Sequence, residues 1–333
     1  MSQPLVAIHC IAYNQDKYIR ETLEGFVMQK TNFPFVAIVH DDASTDNTAV
    51  IIREYAQKYP NIINPIYETE NQYSKPGNPL GKIMMQAIEK TGAKYVAYCE
   101  GDDYWTDPLK LQKQVDFLEN NPDYSLVCCN ADNYIQTEKR LIKCQFIKKG
   151  TFDINYLIIQ NNIVTCSTML RKNLLNSYYK ETTLHSSGLY FGDYQLWLYM
   201  STLGKCMYLS DIMCVYRICP SGVSKMKHDA QRIKWMHSRL LVLDYYTNKY
   251  NVDDDAKVKA YFNFYRHWAF FAAYHRDKKV YERAKKFYSE NRYFQTVTFF
   301  KFVKTFRYPK QLWAFIDRHN RISYHTTKSF EPK

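Results

Sequence analysis

In the first 131 residues, five apolar runs of strand length alternate with stretches of helical periodicity, and that alternation limits the fold more than any other feature of the chain. LVAIHCIAY (5–13), FVAIVH (35–40), NIINPIY (61–67), KYVAYCE (94–100) and YSLVCCNA (124–131) read as strands buried on both sides. Between the first two, DKYIRETLEGFVMQ (16–29) places apolar residues at 18, 19, 23, 26 and 27, the spacing of a helix with one buried face. STDNTAVIIREYAQKY (44–59) opens with Ser44 and Asp46 positioned to cap a helix. LGKIMMQAIEKTG (80–92) ends on a glycine stop, and DPLKLQKQVDFLENNP (107–122) starts with Pro108 at the first helical position. The β-α-β order predicts an α/β protein with a mostly parallel sheet covered by helices on both faces. Beyond residue 131 the pattern predicts a helix end and strand over 156–172, a helix from Asp193, and strand, turn, strand and polar loop over 205–224. The sequence is helical from His228 onward.

A parallel sheet binds ligands beyond the carboxyl ends of its strands. Three polar clusters fall there: AYNQD after the first strand, DDASTD after the second and EGDD after the fourth. Glu100, Asp102 and Asp103 crowd three acids into four positions. Helix capping accounts for Asp107 but not for the pair before it. Adjacent, partly buried carboxylates repel unless a cation neutralises them. A hard divalent ion, Mg²⁺ or Mn²⁺, takes such oxygens and shares its shell with substrate phosphates. DDASTD has neither glycine pattern that wraps phosphates in backbone amides. An aspartate there is suited to a base imide or a ribose hydroxyl. Because successive strand residues face opposite sides, only one of Asp41 and Asp42 can meet the ligand. Tyr104–Trp105 reads either as packing for the strand-end loop or as a stacking face for a sugar ring.

VAIHCIAYNQDKYIRETLEGFVMQ, VAIVHDDASTDNT and YVAYCEGDDYWTDPLKLQKQVDFL, in that order and spacing, resemble a family 2 glycosyltransferase of the GT-A fold over about residues 4 to 132, and weakly to about 224. The resemblance implies a nucleotide-diphosphate-sugar donor, a divalent metal on a DxD-type motif and inversion at the anomeric carbon. It implies that Asp41 contacts the base and that Ala12, Tyr13 and Asn14 lie beside the nucleoside. It makes Asp103 the direct metal ligand, with Asp102 at the metal and nearer the ribose. FGDYQLW matches a later acidic motif, which makes Asp193 the general base. YRICPSGVS resembles a loop closing over the diphosphate, which brings Arg217 and Ser224 near it. Three positions depart from the pattern. Gly192 replaces a common Glu, Cys219 a common His, and KIMMQAI a basic Ala-Arg-Asn segment, leaving Lys82 as a substitute cation.

Composition places limits on the rest. Nine cysteines without a CxxC pair predict buried reduced thiols, no zinc site and a cytoplasmic location. No basic leader precedes the first strand, and no run of 18 apolar residues is present to span a membrane. From His275 to Lys333, fifteen Lys and Arg face five Asp and Glu, a net +10 of the +12 carried by the chain. Over 293–319 these cations interleave with Phe, Tyr and Trp, which suits either a solvated helical face or the inner surface of the cell membrane. No nucleic-acid motif accompanies them. The expected organisation is a GT-A domain over 1–225 and a helical, basic region over 226–333. The expected activity is sugar transfer from a UDP- or GDP-sugar to a saccharide or lipid-linked saccharide acceptor in polysaccharide biosynthesis. Two other readings stay open: a catalytically inactive glycan-binding or scaffold protein of this fold, and a sugar nucleotidyltransferase.

Overall fold

The computed structural model describes residues 3–291 except 76, 78, 145, 146, 185, 186, 221–225 and 227. The basic aromatic stretch over 293–319 and Ser224 therefore lie outside the described residues. In chain order the elements are β1 (Val6–Ala12), α1 (Ile19–Val27), β2 (Phe35–Asp41), α2 (Thr48–Lys58), β3 (Ile63–Tyr67), α3 (Leu80–Thr91), β4 (Tyr95–Tyr98), β5 (Tyr104–Trp105) and α4 (Lys110–Asn120). There follow β6 (Tyr124–Ile135), β7 (Arg140–Ile142), β8 (Gly150–Phe152), α5 (Ile154–Ile159), β9 (Met169–Arg171), α6 (Lys172–Glu181), α7 (Asp193–Leu203), β10 (Lys205–Ile218), α8 (Asp229–Lys249), α9 (Asp254–Tyr274) and α10 (Lys278–Glu290).

One sheet runs β3-β2-β1-β4-β9-β6-β10-β5. β3, β2, β1 and β4 pair in parallel. β9 enters antiparallel to both β4 and β6, so β6 keeps the direction of β4, and β10 continues parallel to β6. The carboxyl ends of β1, β2 and β4 therefore share one edge of the sheet, as expected for this α/β order.

Alternation along each strand assigns the two faces. Val6, Ile8, Cys10 and Ala12 of β1 join Ala37 and Val39 of β2 in a core completed by α1, α2 and α4. Those helices supply Ile19, Leu23 and Phe26, then Ile51, Ile52 and Tyr55, then Leu111, Val115 and Leu118, each set spaced to form one stripe. On the other face the His9 ring lies 4.8 Å from Tyr98, which meets Trp197 of α7 edge-on at 5.6 Å. α3 buries Leu80, Met84 and Ile88 and stops at Gly92, whose φ of 71° is open to glycine at little cost.

Several boundaries differ from the sequence reading. α4 begins at Lys110, because Asp107 Oδ1 accepts the Leu109 N–H at 2.8 Å and makes a separate turn that contains Pro108. Ser44 does not cap α2: its Oγ accepts the Asn14 N–H at 2.9 Å, and Asp46 Oδ1 takes the Thr48 N–H at 2.9 Å. The stretch expected as strand, turn, strand is the single strand β10. Its register against β6 shifts between Tyr208 and Ile212, so the polar Ser210–Asp211 pair bulges without breaking the pairing. Trp105 is core, 2% exposed, with its Nε1–H donated to the Cys166 carbonyl at 2.8 Å and the ammonium of the fully buried Lys110 4.2 Å from its ring centroid. The packing reading of the aromatic pair is the one observed. All nine cysteines are free thiols, and eight of them are buried.

The chain forms two compact units, Met1–Ser238 and Arg239–Lys333. Within the second, Arg283 donates through both terminal nitrogens to Asp244 at 2.6 Å, and the Tyr261 hydroxyl donates to the same carboxylate at 2.7 Å. Among the described residues no helix is long and apolar enough to cross a membrane.

Burial pushes the His9 imidazole down to about 4, against a backbone hydrogen bond that raises it and with the charge of His40 a smaller contribution downward. The folded state thus resists a proton that the unfolded chain accepts near pH 6.5. Stability from this group is complete above pH 6.5 and falls as pH drops toward 4. Urea midpoints at pH 7 and pH 4.5 should show a larger acid loss for wild type than for His9→Asn. Equal losses would remove His9 as the cause.

Candidate active site at the carboxyl edge of the sheet

Asp41 ends β2 and is 2% exposed. Its Oδ2 accepts the Ser44 N–H at 3.3 Å, while Oδ1 is enclosed with no partner among the described residues. Asp42 behaves differently. Its two oxygens accept the N–H groups of Gln72 and Tyr73 at 2.7 and 3.0 Å, so it holds the loop after β3. The two adjacent aspartates thus differ: Asp42 is held by backbone N–H groups through both oxygens and Asp41 through one.

The loops after β1 and β2 are tied together. Asn14, in the left-handed region at φ 54°, accepts the Thr45 N–H on its side-chain oxygen at 2.8 Å, besides its own N–H to Ser44. Ala12 is buried at the end of β1, and Tyr13 is 47% exposed beside it. Lys82 lies exposed in the first turn of α3, on the same edge, with no hydrogen bond or ion pair to a described residue.

The acidic turn after β4 is built tightly. Gly101 brings Glu100 and Asp102 against the β1 loop, and a Cβ there would lie 3.0 Å from that of Ala12 and 3.1 Å from Ile19 Cδ1. The Thr22 hydroxyl from α1 lies against the carbonyls of Gly101 and Asp103 at 3.0 and 2.6 Å. Asp103 is 2% exposed and its Oδ1 accepts the Arg217 N–H at 2.8 Å, whereas Asp102 is only partly buried. Burial raises both carboxyls above the ordinary range, and the Asp102 charge raises Asp103 further.

Arg217 arrives from the end of β10 and is 6% exposed. Its Nε–H donates to the Asp102 carbonyl at 2.8 Å, one terminal nitrogen to Gln136 at 2.8 Å and the other to Glu21. The rings of Tyr18, Tyr104 and Tyr134 surround the guanidinium at 5.0 to 5.1 Å. Arg217, expected from the resemblance in a loop over the diphosphate, lies at the end of β10 with its donors directed into the acidic turn and onto α1. Glu21, Gln136 and the three tyrosines were missed in the sequence, because they belong to separate elements and no spacing joins them.

Asp193 opens α7 and is not a conventional cap: its Oδ1 accepts the N–H of the next residue, Tyr194, at 2.7 Å, and the Thr165 hydroxyl lies 3.4 Å from Oδ2. Glu100 lies close enough to both Asp102 and Asp193 that their charges act on it. Burial first, then those two charges, push its carboxyl up to about 8. A carboxyl that holds its proton at neutral pH is a frequent feature of functional sites.

Among the described residues no three acidic, imidazole or thiol groups form a ready-made metal cage. Two hard-oxygen carboxylates in a crowded turn still fit the partial protein shell that divalent ions use when phosphates complete the coordination.

Residues 8–177, just over half the chain, match the family described as glycosyl transferase family 2, and the chain belongs to that family. An uncharacterised protein of Mycobacterium tuberculosis is 34% identical over 233 residues, covering 69% of this chain and 63% of its own length. The chain thus spans less than two thirds of that relative. TuaG of Bacillus subtilis, whose name places it in teichuronic acid biosynthesis as a glycosyltransferase, is 25% identical over 243 residues, covering 70% of this chain and 86% of its own. Among solved structures, residues 1–349 of TarS from S. aureus in complex with UDP-GlcNAc superpose with a TM-score of 0.59 at 16% identity, covering 80% of this chain and 73% of that one. That likeness shows the GT-A fold. Family membership sets aside the nucleotidyltransferase reading.

Because Glu100 is raised in the folded state, its contribution to stability is complete below pH 4.5 and is lost as pH rises through about 8. Gln mimics the protonated acid. Glu100→Gln should match wild type in urea midpoint at pH 5 and exceed it at pH 8.5. The same difference at both pH values would refute the burial of a proton there.

Proposed function

We propose that the chain transfers a sugar from a nucleotide-diphosphate sugar to a saccharide or lipid-linked saccharide acceptor, with inversion and with a divalent cation, Mn²⁺ or Mg²⁺. The observation that carries this reading is the convergence of Asp41, Glu100, Asp102, Asp103 and Asp193 on one sheet edge, with Glu100 sensing both the acidic turn and α7. Asp41 supplies an acceptor for the base, with Ala12, Tyr13 and Asn14 beside the nucleoside. The resemblance gives the direct cation contact to Asp103; because Asp103 is 2% exposed and holds the Arg217 N–H, we assign that contact instead to Asp102, the more accessible of the pair. When bound, the cation would offset the charge that grows on the departing diphosphate. Asp193 accepts the proton of the acceptor hydroxyl as that oxygen bonds to the anomeric carbon and the carbon–phosphate-oxygen bond breaks, its electron pair leaving with the diphosphate. Arg217 acts from beneath the turn. Ser224 and Lys82 are the remaining candidates for the diphosphate side.

Calorimetry with a nucleotide-sugar panel, with and without MnCl₂, tests the reading. One donor should bind wild type and Asp193→Asn alike, and Asp102→Asn weakly. Donor turnover should fall by about 10²–10⁴-fold in Asp193→Asn. Undiminished turnover in that variant removes the base assignment. A folded wild type that neither binds nor hydrolyses any donor leaves the inactive glycan-binding or scaffold reading.

We also place the second unit at an anionic membrane surface. Lys278, Lys279, Lys285 and Lys286 of α10 are exposed away from its buried line of Val280, Ala284 and Tyr288, and the basic stretch follows in sequence. Co-sedimentation with phosphatidylserine vesicles should fall when residues 290–333 are removed or salt is raised. Unchanged binding rejects the assignment.

A further inference from the structure

β7 is an edge strand beside the acidic edge of the sheet. It pairs with Asn133–Ile135 of β6 on one side while β10 pairs with the same residues on the other, so its outer side has no strand partner among the described residues. Leu141 stands opposite Tyr134 in that pairing, on the same face of the sheet, and the Tyr134 ring lies 5.1 Å from the Arg217 guanidinium. The segment after β7 is held by two buried side chains of β6. Asp132 accepts the Cys144 N–H at 2.8 Å and the Lys143 ammonium at 2.9 Å. Asn130 accepts the Lys148 N–H at 2.9 Å and donates to the Lys148 carbonyl at 2.8 Å. What this frame presents is both basic and apolar. Residues 137–149 carry five Lys and Arg against one Glu, a net +4, and that acid, Glu138, pairs with Arg140 at 2.7 Å. Leu141 is 39% exposed and Ile147 46%, with Lys139, Arg140, Lys143 and Lys149 exposed around them.

We propose that residues 137–149 form a docking surface on the first unit for a bilayer that contains anionic lipid. Charge on an edge strand prevents unwanted strand pairing, and that accounts for the cations. It does not account for two large aliphatic side chains held in water among them. A soluble polyanion would use the cations alone. An anionic lipid surface uses both: the headgroups meet Lys and Arg, and the aliphatic groups enter the boundary with the acyl chains. The surface stands on residues other than those of α10. Its use to the reaction rests on the lipid-linked acceptor reading above, because a bilayer docked there would offer such an acceptor beside Arg217 and the acidic turn.

Co-sedimentation of the full chain with phosphatidylcholine vesicles, with and without phosphatidylglycerol, tests this. Wild type should bind the vesicles that contain phosphatidylglycerol. The Leu141→Ser, Ile147→Ser double variant should bind them about tenfold more weakly. The Lys139→Gln, Lys149→Gln double variant should lose about tenfold or more, since each cation near such a surface is worth about fivefold. All four side chains are exposed, so circular dichroism and urea midpoints should match wild type. Both variants keep the C-terminal region, so the difference reads residues 137–149 alone. Binding equal to wild type in both variants overturns the proposal. Equal binding of wild type to vesicles without phosphatidylglycerol overturns the requirement for anionic lipid. Loss in the cation variant alone overturns the lipid assignment, and a matching loss of binding to soluble alginate identifies an anionic polysaccharide instead. A wild type that docks as expected but binds no nucleotide sugar leaves this surface standing and removes the donor-site reading.

Discussion

Asp102 and Asp103 place two carboxylates on consecutive residues inside a partly desolvated turn, and the rest of the edge is arranged around that repulsion. Coulomb repulsion at this range is weakly screened away from water, so each group favours its proton or a nearby cation. The protein supplies one cation of its own. Arg217 donates to the Asp102 carbonyl by its side chain and to the Asp103 carboxylate by its backbone, and reaches α1 through Glu21. Three tyrosine rings enclose the guanidinium, which is easier to desolvate than an ammonium. The acidic turn is thereby held in shape.

The sheet sets where this charge acts. Because β1, β2 and β4 are parallel neighbours, Asp41, the loop after β1 and the acidic turn emerge on one edge. The antiparallel strand β9 lies between β4 and β6, and the short helical turn just before it, through Thr165, reaches Asp193. Asp193 is contributed by α7, whose Trp197 packs on Tyr98 of β4, two residues before Glu100. One strand end thus lies by both the acidic turn and the start of α7.

Much of the first unit was legible because its signals are local. Strand runs, helical stripes and the stop at Gly92 depend on neighbours within a few residues. What failed depended on partners distant in sequence. Ser44 reads as a cap, yet its hydroxyl goes to Asn14 across two loops. The Ser210–Asp211 pair reads as a turn, but pairing with β6 on both sides of it keeps β10 continuous. Trp105 had two readings until Cys166 and Phe26 fixed it in the core.

The sequence by itself determined the parallel α/β order, the three polar clusters at strand ends and the family, since these follow from periodicity, strand direction and the order and spacing of the motifs. Only the tertiary structure decided which acid of each pair is free. Asp42 is spent on the loop after β3 and Asp103 on Arg217, whereas Asp41 keeps one oxygen without a partner among the described residues and Asp102 stays accessible. It alone brought Glu100 within range of the charges of Asp102 and Asp193, and paired Tyr67 with Asp41 in register. Hydrogen bonds and burial are set by groups that the fold brings together from distant positions, and the order of residues along the chain does not carry that information.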